Sequence, residues 1–226
     1  KLAARLEGWG GVGLTDSYTV ERRPVAQRIT KFSTGNLEIM RGAKSDARLF
    51  EDTPEGAAIR ARVGQALEQG LKREWHCLNM HLGYRYMDSP VICYEAGEDR
   101  QAVEAENEQG AIYTPTTRPG CRAPHGWLQD GRSTLDLYGR GFVLVCRGND
   151  EDDLISLRKA VQELAVPLSI EQVRETDISE LYQRRYVLVR PDGHVAWRGD
   201  QLPADAMTLL RKVAGHEDAS AIREGE

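Results

Sequence analysis

The chain has 226 residues, is 40% apolar and 29% charged, and carries a formal net charge of −5. That length supports one large or two small domains with cores of their own, and the composition is ordinary for a soluble globular protein. The acidic balance argues against a general nucleic-acid binder, and no run approaches the roughly 18 apolar residues that cross a bilayer.

The chain opens on Lys1-Leu2-Ala3-Ala4-Arg5-Leu6-Glu7, strong helix formers with nothing before them to act as a cap. It reads as beginning inside a helix, so a fragment of a longer protein is expected. Gly8 to Gly13 ends that helix in a glycine-rich turn. A second helix is predicted from Thr15 or Asp16 as N-cap, with an apolar stripe at Tyr18, Val25, Ile29 and Phe32. Pro24 should kink or restart it. Arg41 to Pro54 reads as a polar loop or frayed end. From Glu55 the spacing of Val63, Leu67, Leu71, Trp75, Leu78 and Leu82 predicts one long amphipathic helix. Tyr84 to Tyr94 is expected to hold one or two short strands near Pro90. The acidic stretch Glu95 to Gly110 reads as an exposed connection, which places a domain boundary near residue 111.

The last hundred residues change character. Phe142-Val143-Leu144-Val145-Cys146 is a buried-strand run. Leu154, Leu157, Val161 and Leu164 then follow helical spacing, with Asp150 to Asp153 suiting the positive end of the helix dipole. Pro167 to Val173 is a second strand. Tyr186 to Val189 and His194 to Trp197 flank the turn Arg190-Pro191-Asp192-Gly193. Pro203 and Gly215 frame a final helix, and the charged tail 217–226 should fray. The order β-α-β-β-β-α is that of a minimal thioredoxin-like layout. The short basic pairs Arg22–Arg23 and Arg184–Arg185 read as solvated or salt-bridged faces.

Several motifs tempt a functional reading. Gly8-Trp9-Gly10-Gly11-Val12-Gly13 spells GxGxxG, but a dinucleotide fingerprint needs a strand before the turn, and here a helix precedes it. His76, Cys77 and His81 are metal-ligand types, yet on one helix the two histidines would point roughly 140° apart. His125, Ser133 and Asp136 supply the residues of a hydrolase triad without a nucleophile elbow, and read as turn and capping residues. Cys77, Cys93, Cys121 and Cys146 include no CxxC pair and read as reduced, packed thiols of a cytoplasmic protein.

Gly120 to Val145 resembles the opening of peroxiredoxins, with its G-x-x-A-P motif and D-G turn. Where those enzymes carry a reactive cysteine, this chain has Gly148-Asn149-Asp150-Glu151-Asp152-Asp153, and Gln183-Arg184-Arg185-Tyr186 replaces their cis-proline. Carboxylates raise a thiol pKa, so a thioredoxin fold without its redox site is expected. Trp127, Tyr138 and Trp197 are aromatics for an interface or for the core.

Four segments together resemble one family, the class A flavoprotein aromatic hydroxylases and within it the phenol and chlorophenol hydroxylase branch. Leu14, Asp16, Ser17, Tyr18, Glu21, Arg22, Arg23, Pro24, Val25 and Ala26 are similar to the L-L-D-S-Y-x-x-E-R-R-P-V-A segment that follows the family's FAD-contacting loop. Leu82-Gly83-Tyr84-Arg85-Tyr86 with Asp88-Ser89-Pro90, Tyr113 to His125, and Val189 to Arg198 resemble further elements in the same order. The resemblance implies an FAD-dependent monooxygenase that uses NAD(P)H and O2 to hydroxylate a phenolic substrate. It also implies an α+β fold: the helical C-terminal part of an FAD-binding domain over 1–110, then a thioredoxin-like α/β domain lacking CxxC over 111–216. The family's flavin motifs match nothing in this chain, so no catalytic, cofactor-binding or metal residue is assigned, and a structural or assembly role is expected. The expected partners are a phenolic small molecule and, through the C-terminal domain, a homo-oligomer, with no nucleic acid or membrane. A stand-alone, non-catalytic thioredoxin-like binding module remains the alternative.

Overall fold

The computed structural model describes residues 1–42, 46–108, 110–148 and 151–216. The tail 217–226 and the surroundings of the Asp150 to Asp153 side chains lie outside the described residues. Helices α1 (Leu2–Leu6), α2 (Val12–Gly42), α3 (Pro54–Trp75), α4 (Leu78–Leu82) and α5 (Arg100–Glu108) precede a four-stranded sheet. The sheet region runs β1 (Phe142–Cys146), α6 (Glu151–Leu164), β2 (Leu168–Gln172), α7 (Thr176–Tyr182), β3 (Tyr186–Val189), β4 (Val195–Gly199) and α8 (Ala206–Val213).

The strand order is β2-β1-β3-β4, with β1 and β2 parallel and the other two pairs antiparallel. This is the thioredoxin-like α/β arrangement. All five residues of β1 are buried, as a strand covered on both faces requires. Side chains alternate across the pleat. Phe142, Leu144 and Cys146 pack with Leu157, Leu210 and Val213, and with Ala4, Trp9 and Leu14 from the start of the chain. Val143 and Val145 pack with Ile178, Tyr182, Val187 and Val189 on the other face. One core therefore draws on both ends of the sequence.

Strands β1 to β4 and helices α6 and α8 fall where the sequence puts them. The element missed is α7, whose seven residues offer only Ile178 and Tyr182 as buried positions, too few to register as a period. Five other expectations are corrected. First, α2 starts at Val12, before Thr15 or Asp16, and runs unbroken through Pro24 to Gly42. Second, its buried residues are Leu14, Ser17, Glu21, Val25 and Asn36, while Tyr18 and Ile29 are exposed. Third, the long helix breaks at His76 and Cys77, leaving Trp75 and Leu78 in solvent. The apolar spacing continues across a break that local hydropathy cannot register.

Fourth, Tyr84 to Tyr94 forms no strand but a bridged segment, with Arg85 opposite Cys121 and the Cys93 amide donating to the Ala196 carbonyl at 2.8 Å. Together with the Gly120 amide on the Val195 carbonyl, it covers part of the β4 edge, a place where open strands invite misassociation. The stretch Glu95 to Gly110, expected as a bare connection, contains α5 with Val103 buried.

Candidate functional site

The glycine-rich turn is a helix-packing joint. The Gly11 amide donates to the Ala214 carbonyl at 2.8 Å and the Gly13 amide to the Gly215 carbonyl at 3.0 Å. Two amides at the start of α2, which the helix cannot satisfy internally, thus find the two carbonyls that directly follow α8, while the Leu210, Arg211 and Lys212 carbonyls are taken by the Ala214, His216 and Gly215 amides. A Cβ on Gly11 would overlap the Gly215 carbonyl, and one on Gly215, held at φ +73°, would overlap the Leu14 amide. A nucleotide diphosphate needs those same amides free. The turn does not fit a dinucleotide, because its Gly11 and Gly13 amides are already engaged.

The densest polar site is a buried ion cluster where α2 meets the β3–β4 turn. Glu21 and Arg190 form a bidentate pair, Oε1 to Nη1 at 2.6 Å and Oε2 to Nη2 at 3.0 Å, with side chains 1% and 4% exposed. Ser89 Oγ donates to Glu21 Oε1 at 2.6 Å, Lys1 Nζ donates to Oε2 at 2.6 Å, and Arg190 Nη2 also reaches Asp192 Oδ2 at 2.6 Å. Burial alone would raise the Glu21 pKa, but Arg190 and then Lys1 outweigh it and hold the carboxyl below its usual value. Asp192 is lowered too: burial opposes the shift, and His194 and Arg190 prevail. His194 stacks on Tyr86 at 4.4 Å, and Arg22 donates to the Tyr84 and Tyr86 hydroxyls at 3.3 and 3.2 Å.

A second joint sits at the far end of the same hairpin. Arg198 Nη2 meets Glu95 Oε2 at 2.6 Å, and its Nη1 donates to Thr117 Oγ1 and Gln183 Oε1. Arg184 bridges Glu95 and Asp200. The hairpin therefore presents one arginine at each end to a carboxylate from the first hundred residues. Buried ion pairs of this kind fix geometry more than they add net stability.

His125 Nδ1 lies 2.8 Å from Ser133 Oγ, but Asp136 accepts from the Ser133 amide in a capping box rather than from the imidazole. The three are not wired as a triad. Cys77 Sγ is 3.4 Å from His81 Nε2, while His76 ends α3; among the described residues no cluster of three metal-ligating side chains forms. Burial pushes the Cys121 and Cys146 thiols up to about 11. Trp127 is 68% exposed, Trp197 packs on the core, and the Tyr138 hydroxyl pairs with that of Tyr182 at 2.6 Å.

Residues 116–216 match the family described as aromatic-ring hydroxylase, C-terminal. This stretch is similar to the C-terminal domain of aromatic-ring hydroxylases. The chain is 35% identical to an FAD-dependent monooxygenase, apdD, of Emericella nidulans over 96% of its own length and 36% of that protein's. It is 29% identical to the 2,4-dichlorophenol 6-monooxygenase of Cupriavidus pinatubonensis over 99% of itself and 43% of the enzyme. The solved rebeccamycin biosynthetic enzyme RebC with reduced flavin superposes with a TM-score of 0.84 at 40% identity, covering 96% of this chain and 39% of that one. The chain thus spans well under half the length of these relatives.

The partners of the β3–β4 hairpin arginines are not legible in the sequence. Arg190 and Arg198 were legible as part of the family's closing hairpin, and Glu21 as part of its S-Y-x-x-E-R-R-P segment, but nothing local paired them. The available signal was charge without a local partner: Glu21 stands on a helix face otherwise set by Leu14 and Val25, where a lone carboxylate requires a distant cation. No helix among the described residues is long and apolar enough to cross a membrane.

Proposed function

We propose that this chain is the C-terminal part of a cytoplasmic FAD-dependent monooxygenase that hydroxylates a phenolic or other aromatic substrate with NAD(P)H and O2. In this reading residues 1–110 close the FAD-binding domain and residues 111–216 are the appended thioredoxin-like domain. FAD supplies the oxygen activation when bound to the whole enzyme. The residues in hand hold the closing helices and the appended domain in one orientation, and none is assigned to catalysis, to the cofactor or to a metal. Partners in this reading are the phenolic small molecule and a second copy through the C-terminal domain, with neither nucleic acid nor membrane.

The observation that carries the structural role is the Glu21–Arg190 pair, buried and bidentate across the junction of α2 with the hairpin. A carboxylate that turns over substrate keeps an oxygen open to it, whereas Glu21 spends both of its oxygens on Arg190, Ser89 and Lys1. The test is purification of the native polypeptide containing this chain beside the 226 residues alone. The native protein is expected to be yellow and to consume O2 with NAD(P)H and a phenol, and the short chain to bind no flavin. A colourless native protein that fails to take up FAD overturns the assignment.

A further inference from the structure

The chain carries 35 acidic against 30 basic residues, yet one groove reverses that balance. It follows α2 from Arg23 to Glu38 and has a volume of about 900 Å³. Arg23, Arg28, Lys31 and Arg73 line it, and Glu38 is the carboxylate among the lining residues. A neighbouring cavity of about 590 Å³ shares Phe32 and Arg73 with the groove and adds Lys72 and His76. Arg28 is engaged by the Asn107 carbonyl. Arg23, Lys31 and Arg73 have no carboxylate partner among the described residues, unlike the hairpin arginines, which are spent on Glu21 and Glu95. A cleft lined by one sign of charge focuses the field and draws in the opposite ion. The groove also carries a stacking surface: the Arg73 guanidinium lies 4.8 Å over the Phe32 ring. A Cβ on Gly35 would stand 3.7 Å from Arg73 Nη2, so glycine at that position keeps α2 from crowding the guanidinium.

We propose that this groove binds the adenosine diphosphate half of NAD(P)H, an inference that rests on the monooxygenase reading above. That half is common to NADH and NADPH and combines a flat base with a diphosphate. Arg73 and Phe32 offer the base a surface of the kind on which nucleobases stack. Lys31 and Arg23 offer the diphosphate charge-assisted hydrogen bonds, which are about twice as strong as neutral ones. The glycine turn cannot take this part, since its amides already hold the Ala214 and Gly215 carbonyls.

The test uses the native full-length protein, titrated calorimetrically with ADP and assayed for flavin reduction by NAD(P)H. Lys31→Glu and, separately, Arg73→Ala should each weaken ADP binding about tenfold. Each should raise the KM for the coenzyme by a like factor and leave the limiting rate unchanged. Lys159→Glu makes the same charge change as Lys31→Glu on an exposed face of α6, and should shift neither quantity by more than about twofold. A yellow protein in which Lys31→Glu and Lys159→Glu bind ADP alike overturns the inference and leaves the monooxygenase reading standing. So does weakened ADP binding with an unmoved coenzyme KM, which would make the groove a site for a free nucleotide. A colourless protein overturns the monooxygenase reading, and the inference with it.

Discussion

Glu21 and Arg190 lie 169 positions apart in sequence and share two hydrogen bonds of 2.6 and 3.0 Å in a site closed to solvent. Removing one partner strands the other, because a buried ion without its counter-charge bears most of its desolvation cost. Glu21→Ala should destabilise the chain by about 3–5 kcal/mol in urea unfolding. The double variant Glu21→Met with Arg190→Met should recover most of that loss. Simple additivity of the two single changes would refute the coupling.

The same cluster sets an acid limit. The Glu21 carboxyl is held below its ordinary value by Arg190 and Lys1 against the opposing effect of burial, and Glu95 is likewise held down by Arg198 and Arg184 against burial. For carboxyls depressed in the fold, the unfolded chain binds protons first. Their stabilisation is therefore complete above the unfolded value of about 4.3 and is lost as pH falls through the lower folded values. Thermal midpoints of the wild type should hold steady from neutrality toward that region and then drop, with Glu21→Gln showing a shallower acid slope. Equal slopes in the two proteins would remove Glu21 from the account.

The glycine turn should tolerate no side chain on its packed face. Gly11→Ala places a methyl on the Gly215 carbonyl, forcing α2 away from α8 and breaking the paired helix ends. Overpacking of this kind costs about 1–3 kcal/mol, and the loss of the Gly11 to Ala214 bond adds to it. Calorimetry that finds an unchanged melting temperature would show that the two helix ends do not depend on one another.

Cys121 and Cys146 should behave as packed hydrophobes. With burial pushing both thiols to about 11, roughly one in a thousand is ionised at pH 8, and the thiolate is the reactive form. Iodoacetamide at that pH should label neither until denaturant is added, as read by peptide mapping. Labelling of Cys146 in the native state at the rate of a small free thiol would reopen a redox role for the sheet region.

Much of the sheet region was legible because its signals are local. A five-residue apolar run such as Phe142 to Cys146, a 3–4 spacing such as Leu154 to Leu164, and a Pro-Asp-Gly turn each fix their element within a few residues. Helix α2 shows where this fails. Its apolar positions predict a stripe through Tyr18 and Ile29, yet the face that is buried passes through Ser17 and Glu21, since a carboxylate can be buried once a distant arginine is folded against it.

The amino-acid order alone determined the thioredoxin-like strands and helices other than α7, the absence of a CxxC pair, and the family resemblance, all properties of neighbours in the chain. The tertiary structure decided which face of α2 is inside, that a GxGxxG string joins two helix ends, and that Glu21 and Glu95 clamp the two arginines of one hairpin. Those outcomes depend on charges and backbone groups brought together over a hundred residues or more, where the energy of pairing, and not local preference, selects the arrangement.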